Sequence, residues 1–350
     1  MNHDIETVGE HHDMFTIELR PTSKCNYNCY YCTDLHINSN PIIELNIDNI
    51  ILLIERVKEH TSKRVCVFIC GGEPTLYGEL PELVNGVSRC MSSDDTIVIQ
   101  SNLSRPISWL QKFSECIIKK HIVVLNGSYH NTQPGVAILD YIKKCMVIKS
   151  HGILGMISFG YNKQQDVYDD YVKACRVIGK QHCEIVPLIN ASVDQNPNAG
   201  NGTDNEIDHI MLPEVYTKVK QTGHFFEKHI RVITNGETNY TSRAEMWLNR
   251  TNNFHGSMCS IPLHKIYIDW DGSCYKCFNE QFSNITPIFN INDVDICTID
   301  KYFENNKCMR CPFTTCFFDL EYEKDIKAVN RDTHVVIDKY YNTHEYRVNR

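Results

Sequence analysis

The chain has 350 residues, 42% of them hydrophobic, and a formal net charge of -8 from 35 Lys and Arg against 43 Asp and Glu. That acidic balance, with no run of more than two Lys or Arg, argues against a nucleic-acid partner, which requires clustered cations to neutralise phosphates. No apolar stretch approaches eighteen residues and the polar start MNHDIETVGEHHDM is no signal peptide, so the sequence predicts a soluble, cytoplasmic protein with no membrane partner.

In chain order, residues 1–14 read as a flexible N-terminus. From Phe15 onward short apolar runs alternate with amphipathic stretches. The runs are Phe15–Arg20, Val65–Cys70, Thr96–Gln100, His121–Leu125, Ile153–Ser158 and Cys183–Ile189. Between the first two, Ile50, Ile51, Ile54 and Val57 recur at helical spacing, which predicts a helix from Asp48 to about His60 with Asp48 as its cap. A second helix is expected after Pro134, carrying Val136, Leu139, Tyr141 and Ile142 and ending before Gly152. Six strand–helix alternations imply a parallel sheet with right-handed crossovers, too few for a closed eightfold barrel. The expected fold is therefore α/β, a partial (β/α)6 TIM-like barrel over residues 15–240, with reactive groups at the C-terminal ends of its strands. Residues 190–208, rich in Asn, Gly and Asp, read as a loop or linker. Residues 241–320, with short strands and recurring cysteines, form a candidate second domain, and 321–350 a charged tail or helix.

Cysteine is the outlier. There are 17, an odd number, and without an export signal the clustered ones read as metal ligands rather than disulfides. Cys25, Cys29 and Cys32 follow directly on the first strand, where a barrel places its chemistry. A zinc half-site or an adventitious thiol cluster would give the same spacing. Three thiolates, however, fall one short of a structural zinc or a closed four-iron cubane. They leave one iron open to chelate an amino acid. A second motif, Gly71-Gly72-Glu73-Pro74, stands directly after the second strand. Paired glycines let backbone approach a ligand, and carbonyls with a carboxylate can hold an ammonium group.

These two motifs in register resemble the radical S-adenosylmethionine (SAM) superfamily. The resemblance implies that Cys25, Cys29 and Cys32 hold a [4Fe–4S] cluster, that Tyr31 packs near the adenine of SAM, and that Gly71, Gly72, Glu73 and Pro74 bind its methionyl end. It also implies cofactor contacts from Ser101 and Asn102, in a turn that lacks the family's usual glycine, and from Ser128 toward the ribose. An electron from an external one-electron donor of the flavodoxin or ferredoxin type would cleave SAM to a 5′-deoxyadenosyl radical, which abstracts hydrogen from the substrate. His130 is a lone histidine in a polar loop, a pattern that usually means a solvated side chain.

The C-terminal cysteines, with Asp271-Gly272 between Cys259 and Cys277 and then Cys308-x2-Cys311, resemble the SPASM and shorter twitch auxiliary-cluster domains of that superfamily. Two fully ligated cubanes need eight cysteines, and this third of the chain has seven, Cys297 included. One auxiliary [4Fe–4S] cluster on Cys259, Cys277, Cys308 and Cys311 is expected, with Cys316 as a substitute ligand. Zinc on Cys274, Cys277, Cys308 and Cys311 is the alternative. The remaining eight cysteines (66, 70, 90, 116, 145, 175, 183 and 297) are expected to pack in the core. The resemblance implies an oxidation or cross-link of a peptide. The short stretch before Phe15 has no room for a leader-recognition domain, so a small alcohol or sugar-type metabolite is the alternative substrate. A non-catalytic zinc or iron–sulfur binding protein is the alternative class.

Overall fold

The structure, a computed structural model, describes residues 14–29, 32, 45–161, 167–187, 258–282 and 285–312, and the backbone of strands at 5–9, 230–234, 237–241 and 321–323. Tyr31, Cys316 and the predicted loop at 190–208 lie outside the described residues.

Six strands form the parallel body of one sheet: β1 (Met14–Leu19), β2 (Arg64–Ile69), β3 (Thr96–Ser101), β4 (Val123–Tyr129), β5 (Leu154–Tyr161) and β6 (Cys183–Pro187). Each pairs in parallel with the next in sequence. The crossovers carry helices α1 (Ile47–His60), α2 (Leu80–Cys90), α3 (Ile107–Cys116), α4 (Ile138–Ser150) and α5 (Tyr168–Ile178). This is the expected partial barrel. Strand period 2 divides the side chains between its faces. Phe15, Ile17 and Leu19 of β1 and Val65, Val67 and Ile69 of β2 join the main core with Ile50, Leu53, Ile54 and Val57 of α1. On the opposite parity Met14, Cys66 and Val98 form a separate small cluster.

The cap of α1 differs from expectation. Asn46, not Asp48, is the N-cap, its side chain accepting from the Asn49 N–H at 3.1 Å. Asp48 lies inside the first turn, where a carboxylate still complements the helix dipole.

The sheet continues beyond the barrel. Strand β7 (Lys265–Ile268) lies parallel to β1, and β8 (Ser273–Tyr275) and β9 (Phe289–Asn290) follow antiparallel, giving the order β9-β8-β7-β1-β2-β3-β4-β5-β6. The first part of the cysteine-rich region thus shares a sheet with the barrel. Helix α6 (Ile296–Asn305) packs on α1, where the Arg56 guanidinium forks onto Asp300 with two hydrogen bonds of 2.8 Å. Residues Ile5–Gly9, expected to be flexible, instead form a strand in a second, six-stranded sheet, between Ile230–Thr234 and Glu321–Glu323. Its antiparallel neighbours satisfy the backbone donors that composition alone left open. Of the cysteines expected in the core, Cys66, Cys145 and Cys183 are buried, whereas Cys116 and Cys297 are exposed. Each of those two sits on the solvent side of its helix.

The barrel is braced at one point by a buried carboxylate. Asp95 accepts from the Val65 N–H (2.8 Å), the Ser92 N–H (2.6 Å) and hydroxyl (2.7 Å), and Lys58 Nζ (2.5 Å). Burial pushes its pKa up, but Lys58 and the other donors outweigh burial and hold it below the ordinary aspartate value of 3.8. A depressed carboxylate pKa gives stability that is present at neutral pH and lost as pH falls through the folded-state value. Asp95→Asn should cost about 1–3 kcal/mol in urea unfolding at pH 7. The gap from wild type should close as pH falls below 3.8.

Candidate active site

Because β1 to β4 run parallel, the turns that follow them meet at one edge of the sheet. The cysteine loop after β1 is the centre of that edge. Its backbone is locked to the glycine turn: the Gly72 N–H donates to the Thr22 carbonyl at 3.2 Å and the Glu73 N–H to the Lys24 carbonyl at 2.7 Å. The approach leaves no room for a side chain. A Cβ on Gly72 would lie 2.2 Å from the Lys24 oxygen, and Gly71 has φ +114°, open only to glycine without strain.

Glu73 then turns inward. It is 1% exposed, and its carboxylate accepts from the Thr75 N–H (3.0 Å) and hydroxyl (2.6 Å), the Ser101 hydroxyl (2.7 Å) and the Asn102 N–H (2.7 Å). Burial raises its pKa, against the pull of those four donors. Beside the expected role toward an ammonium group, this carboxylate has a structural one. Oε1 accepts from Thr75 and Ser101 and Oε2 from the Asn102 N–H, so the side chain joins the turn after β2 to the turn after β3. Pro74, also buried, opens the short 3-10 turn at Pro74–Leu76 that Glu73 caps.

Ser101 and Asn102 are part of the same joint. Asn102 Nδ2 donates to Asn26 Oδ1 at 3.1 Å, so the turn after β3 also reaches the cysteine loop. Ser128, half-buried on β4, accepts from Gln100 Nε2 at 2.7 Å. The turn after β4 makes the third contact. The Gln133 side-chain oxygen accepts from the Asn28 N–H at 3.1 Å, His130 Nδ1 lies 3.7 Å from Cys29 Sγ, and the His130 ring meets Tyr27 edge-on, centroids 5.7 Å apart. His130 is thus packed against the loop, not solvated, and burial pushes its pKa down to about 4. Sequence reasoning passed over Asn26, Tyr27 and Gln133. Their contacts lie up to 105 residues away, and nothing local announces them.

Cys25, Cys29 and Cys32 are all half-buried on this one loop, with the Cys32 N–H closing a turn onto the Cys29 carbonyl at 3.0 Å. The Tyr27 N–H donates to Cys25 Sγ at 3.4 Å. Burial pushes the Cys25 thiol up to about 11; the Tyr27 N–H opposes this, and Glu73, Cys29 and Cys32 add to it. Tyr27 is pushed up to about 12, again chiefly by burial. Three soft sulfur donors on one short loop, one of them already receiving a backbone N–H, fit an iron–sulfur cluster. Among the described residues no group of three or more His, Cys, Asp or Glu is arranged to hold a single metal ion.

Residues 19–147 match the family model of the Radical SAM superfamily. This stretch, less than half of the chain, is similar to a radical SAM domain. The family implies a [4Fe–4S] cluster and SAM as cofactors. Streptococcus suis SuiB bound to precursor peptide SuiA is similar in fold, with TM-score 0.56 and 15% identity over 84% of this chain and 65% of SuiB. This chain therefore spans less than two thirds of SuiB. The anSMEcpe structure with bound AdoMet and Kp18Cys peptide is similar with TM-score 0.51 and 15% identity over 88% of this chain and 93% of that one. Comparison with curated protein sequences gave no match.

The second cysteine group divides in two. Cys277 and Cys311 are buried together with Ile261, and the half-buried Cys259 packs on them. The strand Met258–Cys259 pairs with Met309–Arg310, placing Cys259 opposite Met309 and hence beside the half-buried Cys308. Cys274 lies elsewhere, fully buried in the main core, its thiol driven well up by burial. No helix among the described residues is long and apolar enough to cross a membrane.

Glu73→Gln separates the two roles of that side chain. The buried amide would leave donors facing donors, so stability of the cofactor-free protein should fall by about 1–3 kcal/mol for each orphaned group. A carboxylate that acted only on the ligand would instead lose SAM affinity in equilibrium dialysis with the melting temperature unchanged.

Proposed function

We propose that this chain is a radical SAM oxidoreductase of the maturase type, holding one cluster on Cys25, Cys29 and Cys32 and a second, auxiliary [4Fe–4S] cluster on Cys259, Cys277, Cys308 and Cys311. When bound, the first cluster and SAM supply a 5′-deoxyadenosyl radical, formed with an electron from a flavodoxin- or ferredoxin-type donor, that abstracts hydrogen from the substrate. The chain's own part is placement. The Gly71–Pro74 turn, with its backbone carbonyls and the Glu73 carboxylate, is assigned to the methionyl ammonium. Ser101 and Asn102 at the end of β3 and Ser128 near the end of β4 are assigned to the cofactor, and Tyr31 to its adenine.

The observation that carries the reading is the docking of one three-cysteine loop against the turns after β2, β3 and β4 within a matched radical SAM domain. The auxiliary assignment is supported by the cluster of Cys259, Cys277 and Cys311 apart from Cys274, which weighs against the zinc set that includes Cys274. A peptide is the favoured substrate, to be oxidised or cross-linked, because similar folds are recorded with bound peptides. A small alcohol or sugar-type metabolite is the second reading.

Anaerobic reconstitution should give about eight irons per chain, four per cubane. Reduction in the presence of SAM should release 5′-deoxyadenosine. Cys25→Ala should abolish that product, whereas Cys277→Ala should lose about half the iron and leave SAM cleavage in place. Zinc with about four irons would replace the auxiliary cluster by a zinc site. A colourless protein making no 5′-deoxyadenosine would end the proposal.

A further inference from the structure

In the described part of the cysteine loop two nitrogens lie against sulfur. One is the backbone of Tyr27, 3.4 Å from Cys25 Sγ. The other is a side chain brought from more than a hundred residues away: His130 Nδ1, 3.7 Å from Cys29 Sγ. The imidazole is held there from two sides. Its ring meets the Tyr27 ring at an interplanar angle of 81°, and three residues further on Gln133 fastens the same turn to the Asn28 N–H.

We infer that His130 is a positioning residue that donates its Nδ1–H to the Cys29 sulfur and sets the reduction potential of the cluster on Cys25, Cys29 and Cys32. This rests on the cluster assignment made above. A cysteine bound to iron is a thiolate with no proton to give, so in the contact between Cys29 and His130 the imidazole is the donor and Nδ1 carries the hydrogen. A hydrogen bond to cluster sulfur withdraws electron density from the iron and stabilises the reduced, more negative state. Charge-assisted bonds of this kind are roughly twice as strong as neutral ones. His130 therefore makes the cluster easier to reduce, which is the step that any external one-electron donor must accomplish before SAM can be cleaved. The Tyr27 N–H could be removed only by proline, which would also reshape the loop, whereas the His130 contact is a side chain and is the adjustable one of the two.

The test is a redox titration of the reconstituted, SAM-free cluster followed by low-temperature EPR, on wild type, His130→Phe and His130→Asn. Phe keeps an aromatic ring against Tyr27 and loses the donor; Asn keeps an N–H near the Nδ1 position. At a fixed potential the reduced fraction relative to oxidised should fall about tenfold in H130F, a shift of about 59 mV to more negative potential for one electron. H130N should recover most of it. Equal midpoints for wild type and H130F at equal iron content overturn the inference. If H130F takes up no cluster, the wild type decides by pulsed EPR with histidine labelled with nitrogen-15. A weak coupling between the reduced cluster and that nitrogen supports the donor assignment, and its absence overturns it. A wild-type chain that assembles no cluster overturns the cofactor assignment itself, a result distinct from a cluster whose potential ignores His130.

Discussion

The architecture of this edge of the barrel turns on a contact that only glycine allows, the backbone of Gly72 lying on the carbonyl of Lys24. A Cβ there would lie 2.2 Å from that oxygen, far inside any real contact, and the obstacle is backbone rather than a side chain that can swing away. The two N–H bonds from Gly72 and Glu73 to Thr22 and Lys24 depend on the same approach. The glycine turn is thus a template for the cysteine loop. Through Glu73 the constraint spreads further, because a 1%-exposed carboxylate must find donors and finds them on the turn after β3. Loop, turn and turn behave as one unit that carries the half-buried Cys25, Cys29 and Cys32.

A second buried charge connects that unit to the other cysteines. Arg20, 2% exposed, has its Cβ close beside the site of a Gly71 Cβ and sends Nη1 to Tyr267 (3.0 Å), Asp269 (2.9 Å) and Gln281 (2.9 Å). Removing one partner of such a pair strands an uncompensated charge, which costs more than the pair itself contributes. Segment 265–281 can therefore dock beside β1 only in the register that delivers Asp269 and Gln281. Neighbouring Lys265 and Glu18 form a further buried pair at 2.6 Å in the same strand pairing. Cys277 lies four residues before Gln281, so the ion-pair network fixes the position of the second cysteine group relative to the first.

How far all this was legible in the sequence follows from which interactions are local. The six strands were, because buried parallel strands are short apolar runs. The least accurate was β4, expected at His121–Leu125 and found at Val123–Tyr129, because Asn126 and Ser128 on its inner face interrupt the apolar run. The motifs were legible as spacing. What Glu73 does with its carboxylate was not, since its partners at Ser101 and Asn102 come from the next strand. Nor were the different surroundings of Cys259 and Cys274: Cys259 packs on Cys277 and Cys311, whereas strand parity sends Cys274 into the core. His130 looked like an ordinary loop histidine because its partner Cys29 is 101 residues away.

The missing glycine after β3 shows how a departure from pattern is absorbed. Leu103 stands there with φ +52°, left-handed, a conformation that costs a non-glycine residue about 1–2 kcal/mol. Full burial of a leucine side chain returns about 1.5–3 kcal/mol, and Leu103 is 0% exposed, so burial outweighs strain. The space for it comes from the adjacent strand. A Cβ on Gly127 of β4 would lie 2.5 Å from the Tyr141 hydroxyl and 3.1 Å from Leu103 Cδ1, so the absence of a side chain at 127 makes room for both. The Leu103 N–H donates to the Ser101 hydroxyl (3.0 Å) and its carbonyl accepts from Lys144 (2.7 Å), which leaves the turn's backbone groups at that residue satisfied. Leucine is thus accommodated in the turn while Ser101 and Asn102 keep their bonds to Glu73.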